Sequence, residues 1–233
     1  MPSTLLSGSA THVGGRKNNQ DSVLVSEGLF AVADGIGGFV NGDVASRLAL
    51  DTLESAFADD RTVAGLLDST RKANEAVWLK SHADGTSMGT TLVAVAMTSD
   101  AGTVAVNVGD SRLYRLRDDS LEQLTRDHTV LAELLRSREV SDADARNHPH
   151  RHVLTRAVGV GPEVEIDHHE LSAEPGDRLL LCSDGLFNAK SAEDIERLLG
   201  SDGDPQDLCD GLVEAALEAD ADDNVTALVL EIR

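Results

Sequence analysis

Short apolar runs, rich in Val, Leu and Ile and bounded by Gly, Asp and Asn, recur along the chain at 22–26, 29–33, 90–97, 103–108, 113–116, 165–170, 178–182 and 225–232. Runs of this length with such flanks predict β-strands. Between them the apolar spacing changes to a helical one. Val44, Leu48, Leu53 and Phe57 share one helix face, and Val63, Leu66, Leu67, Thr70, Val77 and Trp78 mark a second helix. "SAED" at 191–194 opens a third with Ser191 as N-cap and Asp194 in the place usually held by Glu, and a fourth is expected over 205–218.

Strands fall in hairpin-like neighbours with helices inserted in pairs. That order favours antiparallel sheets covered by helices over a doubly wound parallel sheet. No repeat, low-complexity linker or Pro/Gly-rich stretch divides the sequence, so 1–233 reads as one domain. From Asp127 to His152 the chain turns polar around "TVLAELLRSREV", as a surface flap would over about 129–152.

Composition narrows the function classes. There are 41 acidic against 20 basic residues, a net charge of −21, which repels nucleic-acid phosphates and anionic lipid surfaces. Most of these carboxylates are solvated surface; a few suit divalent cations. No apolar run approaches the length of a membrane helix, and the N-terminal segment lacks the pattern of a secretory signal. Of the two cysteines, Cys182 lies inside an apolar run, which favours a reduced, cytoplasmic protein.

Strand ends carry the chemistry. With Glu27-Gly28 as a two-residue turn, Ser26 pairs with Leu29, and counting outward sets Asp21 opposite Asp34. "RLLLCSD" ends a strand in Asp184, "ADDNVTALVLEI" starts one after Asp223, and "VAVNVGDSR" adds Asp110. If the strands before Asp184 and after Asp223 run antiparallel, those two carboxylates share an edge. Clustered carboxylates are costly unless cations neutralise them, and oxygen ligands without His or Cys point to Mg²⁺ or Mn²⁺. Gly35, Gly37 and Gly38 then let the main chain come close, with the Gly35 carbonyl a further ligand. Arg16 sits just before Asp21, and a guanidinium suits a phosphoryl group.

These residues carry a resemblance. "RKNNQDS", "FAVADGIGGFVNGDVAS", "MGTTLVA", "VGDSRLYRLRDDSLEQLTRDHT", "HVLTRAVG", "LLLCSDGLF" and "DDNVTALVL" stand in an order that resembles the bacterial metal-dependent PPM (type 2C) protein serine/threonine phosphatases. The resemblance implies an α+β fold, a four-layer α-β-β-α sandwich of two antiparallel sheets flanked by helices. It also implies a phosphoric monoester hydrolase that cleaves phosphoserine and phosphothreonine by in-line attack of a water or hydroxide held between two divalent ions, Mn²⁺ or Mg²⁺. By the same resemblance Asp34 bridges the ions with the Gly35 carbonyl, and Asp184 and Asp223 hold one of them. Asp21 supports the other through water, Asp110 with Asp184 serves a third, weaker ion, and Arg16 binds phosphate.

Implied partners are phosphorylated proteins and a cognate serine/threonine kinase, with a monomer as the default. Two positions depart from the pattern of relatives that place His near the bridging Asp: here these are Ile36 and Phe39. Asn188 stands where some relatives have a further metal-site Asp, and His12, His128, His150 and His152 are the candidates for leaving-group protonation. The alternatives to an active enzyme on proteins are a catalytically weak phosphoprotein-binding regulator and a hydrolase of small phosphate esters.

Overall fold

The computed structural model describes residues 5–36, 41–145 and 148–233. Gly37, Gly38 and Phe39 lie outside the described residues. Ten strands and seven helices are described: β1 (Leu5–His12), β2 (Asp21–Ser26), β3 (Leu29–Asp34), α1 (Gly42–Asp59), α2 (Val63–Asp84), β4 (Leu92–Thr98), β5 (Gly102–Val108), β6 (Arg112–Arg117), β7 (Ser120–Gln123), α3 (Val130–Arg136), α4 (Asp142–Ala145), β8 (Asp167–Glu170), β9 (Arg178–Cys182), α5 (Asp184–Ala189), α6 (Ala192–Leu199), α7 (Pro205–Glu218) and β10 (Val225–Ile232). They form two antiparallel five-stranded sheets, ordered β1-β10-β9-β6-β7 and β2-β3-β4-β5-β8.

Three apolar layers hold four layers of structure together. Phe30, Val32, Val93 and Val95 from one sheet meet Leu113, Leu179, Leu181, Leu228 and Leu230 from the other, forming the seam between sheets. On the far side of the first sheet Leu29, Ala31, Ala33, Ala94 and Ala96 pack under α1 and α2. On the far side of the second, Cys182, Val225, Ala227 and Val229 pack under α6 and α7. Strands buried on both faces are apolar at successive positions, which is why β3 and β10 lack the polar alternation of half-exposed strands. The expected four-layer α-β-β-α arrangement is therefore present.

Helix ends follow the local chemistry, with one correction. Ser191 caps α6 through the Asp194 N–H at 3.2 Å, but the Asp194 carboxylate accepts from the Ser191 hydroxyl at 3.1 Å and does not reach back to the cap's backbone. The reciprocal box forms instead at α7, where the Asp204 side chain accepts from the Asp207 N–H and Asp207 accepts from the Asp204 N–H. Asp204→Ala is expected to cost about 1 kcal/mol of stability, read as a lower denaturant midpoint with unchanged slope.

Three elements lie outside the apolar pattern. β1 holds only two large apolar residues, Leu5 and Leu6, yet pairs with β10 along its whole length. β7 is a four-residue edge strand, and α5 begins at Asp184 itself. Edge strands are held by ladder hydrogen bonds more than by buried side chains, so hydrophobic spacing misses them. The 129–152 segment leaves and returns at one place, closed by the Thr129–Leu154 bridge and the Val130 N–H to Val153 C=O bond at 2.8 Å. No described helix is long and apolar enough to cross a membrane.

Candidate active site

The β2–β3 hairpin turns at Glu27-Gly28, with Gly28 at φ 75, and its register sets Ser26 against Leu29 and Asp21 against Asp34. β9 and β10 run antiparallel with Cys182 opposite Ala227, so the chain leaving β9 and the chain entering β10 share an edge. Asp184 follows the first, and Asp223 precedes the second. Asp110 sits in the turn between β5 and β6. The fields of Asp21, Asp184, Asp110 and Asp223 all act on Asp34, so the fold brings the five predicted carboxylates to one place.

Each carboxylate is positioned by its own element. Asp21 is buried, and one of its oxygens, Oδ2, accepts from Ser183 Oγ at 2.7 Å and Thr226 Oγ1 at 2.6 Å. The Thr226 proton is committed to Asp21, so Thr11 Oγ1 donates to Thr226 at 2.7 Å and itself accepts from Asn19 Nδ2 at 2.8 Å. This relay ties β1, β9 and β10 of one sheet to β2 of the other. Around Asp34 the backbone is held on both sides: its N–H donates to Thr91 Oγ1 at 2.9 Å, and its carbonyl accepts from the Thr91 N–H and Thr90 Oγ1, each at 2.8 Å. Gly35 lies so close to its neighbours that a Cβ there would fall 2.3 Å from the Gly42 carbonyl oxygen and 2.8 Å from that of Gln20. No side chain fits; the glycine is a packing requirement.

The electrostatics are those of crowded acids. Burial first, then the charges of Asp21, Asp184, Asp110 and Asp223, holds the Asp34 carboxyl well above the ordinary carboxylate range. Asp184 is pushed up to about 8 by burial and by Asp110, Asp223 and Asp21. Asp110 is raised to about 6 by burial and Asp127, and Asp21 is raised mainly by burial. Asp21 and Asp34 stand opposite one another in the β2–β3 register, so the two acids face each other at the strand ends. Asp21 Oδ1 is buried without a donor, and so is Asp184 Oδ1. Buried acceptors without partners are rare and call for a cation or water.

Other predicted residues fall as follows. Arg16 reaches the rim, half exposed, with Nη2 donating to Asp223 Oδ2 at 2.6 Å, and this bond raises its pKa. Asn188 Nδ2 donates to Asp184 Oδ2 at 3.1 Å. His128 is spent on structure: Nδ1 accepts from the Gly109 N–H at 3.1 Å and Nε2 faces Asp167 Oδ2 at 3.2 Å. His12 accepts from the Gly14 N–H, and His150 meets His148 edge to face, with ring centres 5.7 Å apart. His152 comes nearest the acids, with Nδ1 3.9 Å from Asp184 Oδ2, while its Nε2 accepts from Arg151 Nε at 2.8 Å.

Sequence reading missed Thr226, Thr11 and Asn224, and it gave Ser183 no place at the site. Asn224 pins the Arg16 loop, donating to the Val13 and Asn18 carbonyls and accepting from the Gln20 N–H. Its place directly after Asp223 was the one available signal.

Comparison with known proteins accords with this geometry. The protein phosphatase 2C family model matches residues 9–211. The chain belongs to the protein phosphatase 2C family. A curated relative of this family, the serine/threonine phosphatase stp of Listeria innocua, is 37% identical over 230 residues, covering 93% of this chain and 91% of the relative. The crystal structure of the PPM Ser-Thr phosphatase MsPP from Mycobacterium smegmatis, in complex with cacodylate, superposes with a TM-score of 0.91 at 44% identity over 97% of this chain and 98% of that one. The catalytic domain of PstP, a serine/threonine protein phosphatase solved with two manganese ions, superposes at 0.85 with 33% identity over 98% and 99% of the two chains. This protein phosphatase 2C member is accordingly a phosphoprotein phosphatase acting on serine and threonine phosphate.

Proposed function

We propose that the five-carboxylate edge holds divalent cations, and that this site releases phosphate from phosphorylated proteins in the cytoplasm, reversing a serine/threonine kinase. The observation that carries the metal reading is the pair of buried, donorless oxygens, Asp21 Oδ1 and Asp184 Oδ1, among mutually repelling carboxyls. The donor set is oxygen only, which suits Mn²⁺ or Mg²⁺. Among the described residues no group of three or more acidic, His or Cys side chains is poised to hold a metal ion. Cations that keep part of their water shell fit such a site better than one needing a complete protein cage.

Asp34, the Gly35 carbonyl, Asp184 and Asp223 would hold the two principal ions, with Asp21 supporting one of them through water and Asp110 with Asp184 offering a weaker third place. Bound there, such ions supply Lewis acidity and a water ionised near neutral pH. The chain's own residues do the rest. Arg16 exchanges its partner, leaving Asp223 for the phosphoryl oxygens of the substrate, where its planar fork neutralises charge. Ser183 and Thr226 hold Asp21 in one orientation, and the two bonds to the Asp34 carbonyl keep that residue from moving toward solvent. Ile36 has no proton to give the leaving oxygen. Segment 129–152 covers the site as a flap on a single catalytic domain, working as a monomer. Two free, buried cysteines, Cys182 and Cys209, accord with a reducing compartment.

Phosphate release from a phosphothreonine peptide, measured with Mn²⁺, with Mg²⁺ and with EDTA, tests this reading. Turnover that survives EDTA rejects the metal mechanism, and cleavage of p-nitrophenyl phosphate alone rejects the protein substrate. Arg16→Ala is expected to lower kcat/KM about 10- to 100-fold, the loss of charge-assisted hydrogen bonds to phosphate. Arg16→Lys recovers only part, because an ammonium cannot reproduce the two-pronged contact.

A further inference from the structure

The protein has one tryptophan, Trp78, and the fold leaves it partly exposed in the last two turns of α2. Its ring lies 4.4 Å from that of His82, one turn along. Together with Thr86, Met88, Gly159 and Val160 these rings line a groove of about 310 Å³. Val160 is 56% exposed, an apolar side chain standing in water on a strongly acidic protein.

That exposure is built in. Buried Asn74, from α2, accepts from the Gly159 N–H at 2.8 Å and donates to the Gly161 carbonyl at 3.0 Å, gripping the chain on both sides of Val160. Val158 is bonded in both directions to Thr90, at 3.0 and 2.8 Å. Gly159 has φ 86 and lies so near α2 that a Cβ would fall 2.2 Å from Val77 Cγ1. A loop fixed this firmly presents Val160 as a preformed wall. Rigid, preorganised apolar surface binds with little ordering cost.

The groove also runs into the carboxylate site. A Cβ on Gly89 would meet Val160 Cγ2 at 2.9 Å and Ile36 Cδ1 at 3.1 Å, so these two side chains flank Gly89. Ile36 donates its N–H to the Gly89 carbonyl at 3.0 Å and stands two residues beyond Asp34. An apolar strip thus extends from the groove to the edge of the acidic cluster.

We propose that this groove receives an apolar side chain of the phosphoprotein substrate, a few residues from the phosphorylated one, and so sets part of the sequence preference. The proposal rests on the phosphoprotein reading above. Its occupant is an extended substrate segment whose phosphate lies at the carboxylates and whose apolar residue reaches Trp78 and Val160. Burial of one such side chain corresponds to about tenfold in discrimination.

The test uses phosphothreonine peptides that are polar throughout, or that carry a single Leu two to five residues to either side of the phosphothreonine. Wild-type protein, Trp78→Ala and Val160→Ser are assayed on these and on p-nitrophenyl phosphate. The expected result is a KM about tenfold lower for one Leu position in wild type, a preference lost in both variants, with kcat and p-nitrophenyl phosphate turnover unchanged. Val160→Ser changes only a solvent-facing side chain, so it tests the groove even if Trp78→Ala folds poorly. Asp34→Asn mixed with the preferred peptide should shift Trp78 fluorescence, whereas the polar peptide should not. Equal KM for all peptides in wild type overturns the groove and leaves the phosphatase reading standing. No turnover of any phosphopeptide defeats both. A concentration-dependent dimer that Val160→Ser dissolves, with peptide KM unaltered, overturns the proposal in favour of self-association.

Discussion

Asp34→Asn is expected to lower phosphate release by about a thousandfold or more, the scale on which removing a central electrostatic element of a site acts. The substitution keeps size and shape while removing the carboxylate on which the fields of four others converge. Because that carboxylate is repelled by all its neighbours, the same change should stabilise the cation-free protein at pH 8. Activity and stability therefore move in opposite directions, which separates loss of function from loss of fold. Phosphopeptide kinetics and thermal unfolding in EDTA check the two halves. A variant that retains turnover, or that loses it by unfolding, contradicts the assignment.

The cation-free protein is expected to lose stability as pH rises, and divalent ions should restore it. In the folded chain Asp110 holds its proton up to about pH 6 and Asp184 up to about pH 8, against an ordinary value of 3.8. The native state thus binds more protons than the unfolded state between these limits. Stability from these groups is full below pH 3.8 and is lost as pH climbs through 6 and then 8. Cations prefer the ionised carboxylates, so their effect has the opposite slope. At a hundred times the dissociation constant a bound ion contributes about 2.7 kcal/mol, or roughly 5–10 °C in Tm for a chain of this size. Melting curves from pH 5 to 8.5 in EDTA and in Mn²⁺ should diverge as pH rises. Parallel curves would contradict a cation site at these carboxylates.

Several of these groups were legible before any coordinates. The Glu27-Gly28 turn sets a register, and a register with a period of two leaves no freedom about which residue faces Asp34. Strand ends marked Asp184 and Asp223, and the seven motifs identified the family. The bonding that makes the site work was less visible. Thr226 and Ser183 read as ordinary strand and turn residues, yet they orient Asp21 across more than 160 positions of sequence. β1 escaped notice because its sequence is mostly small and polar, although it places Thr11 in the same relay. The histidines could not be ranked from sequence, since only packing shows that His128 is committed to Gly109 and Asp167 while His152 approaches Asp184.

By itself the sequence determined the antiparallel, helix-covered class, the hairpin register and the identity of the acids, because these depend on local periodicity, turn chemistry and residue type. Tertiary structure decided the exposure of Val160 and the pairing of Arg16 with Asp223. It also decided which carboxylate oxygens are buried without a donor. Those properties arise where separate strands and loops pack together, and no periodicity within one segment encodes what a distant segment will bring beside it.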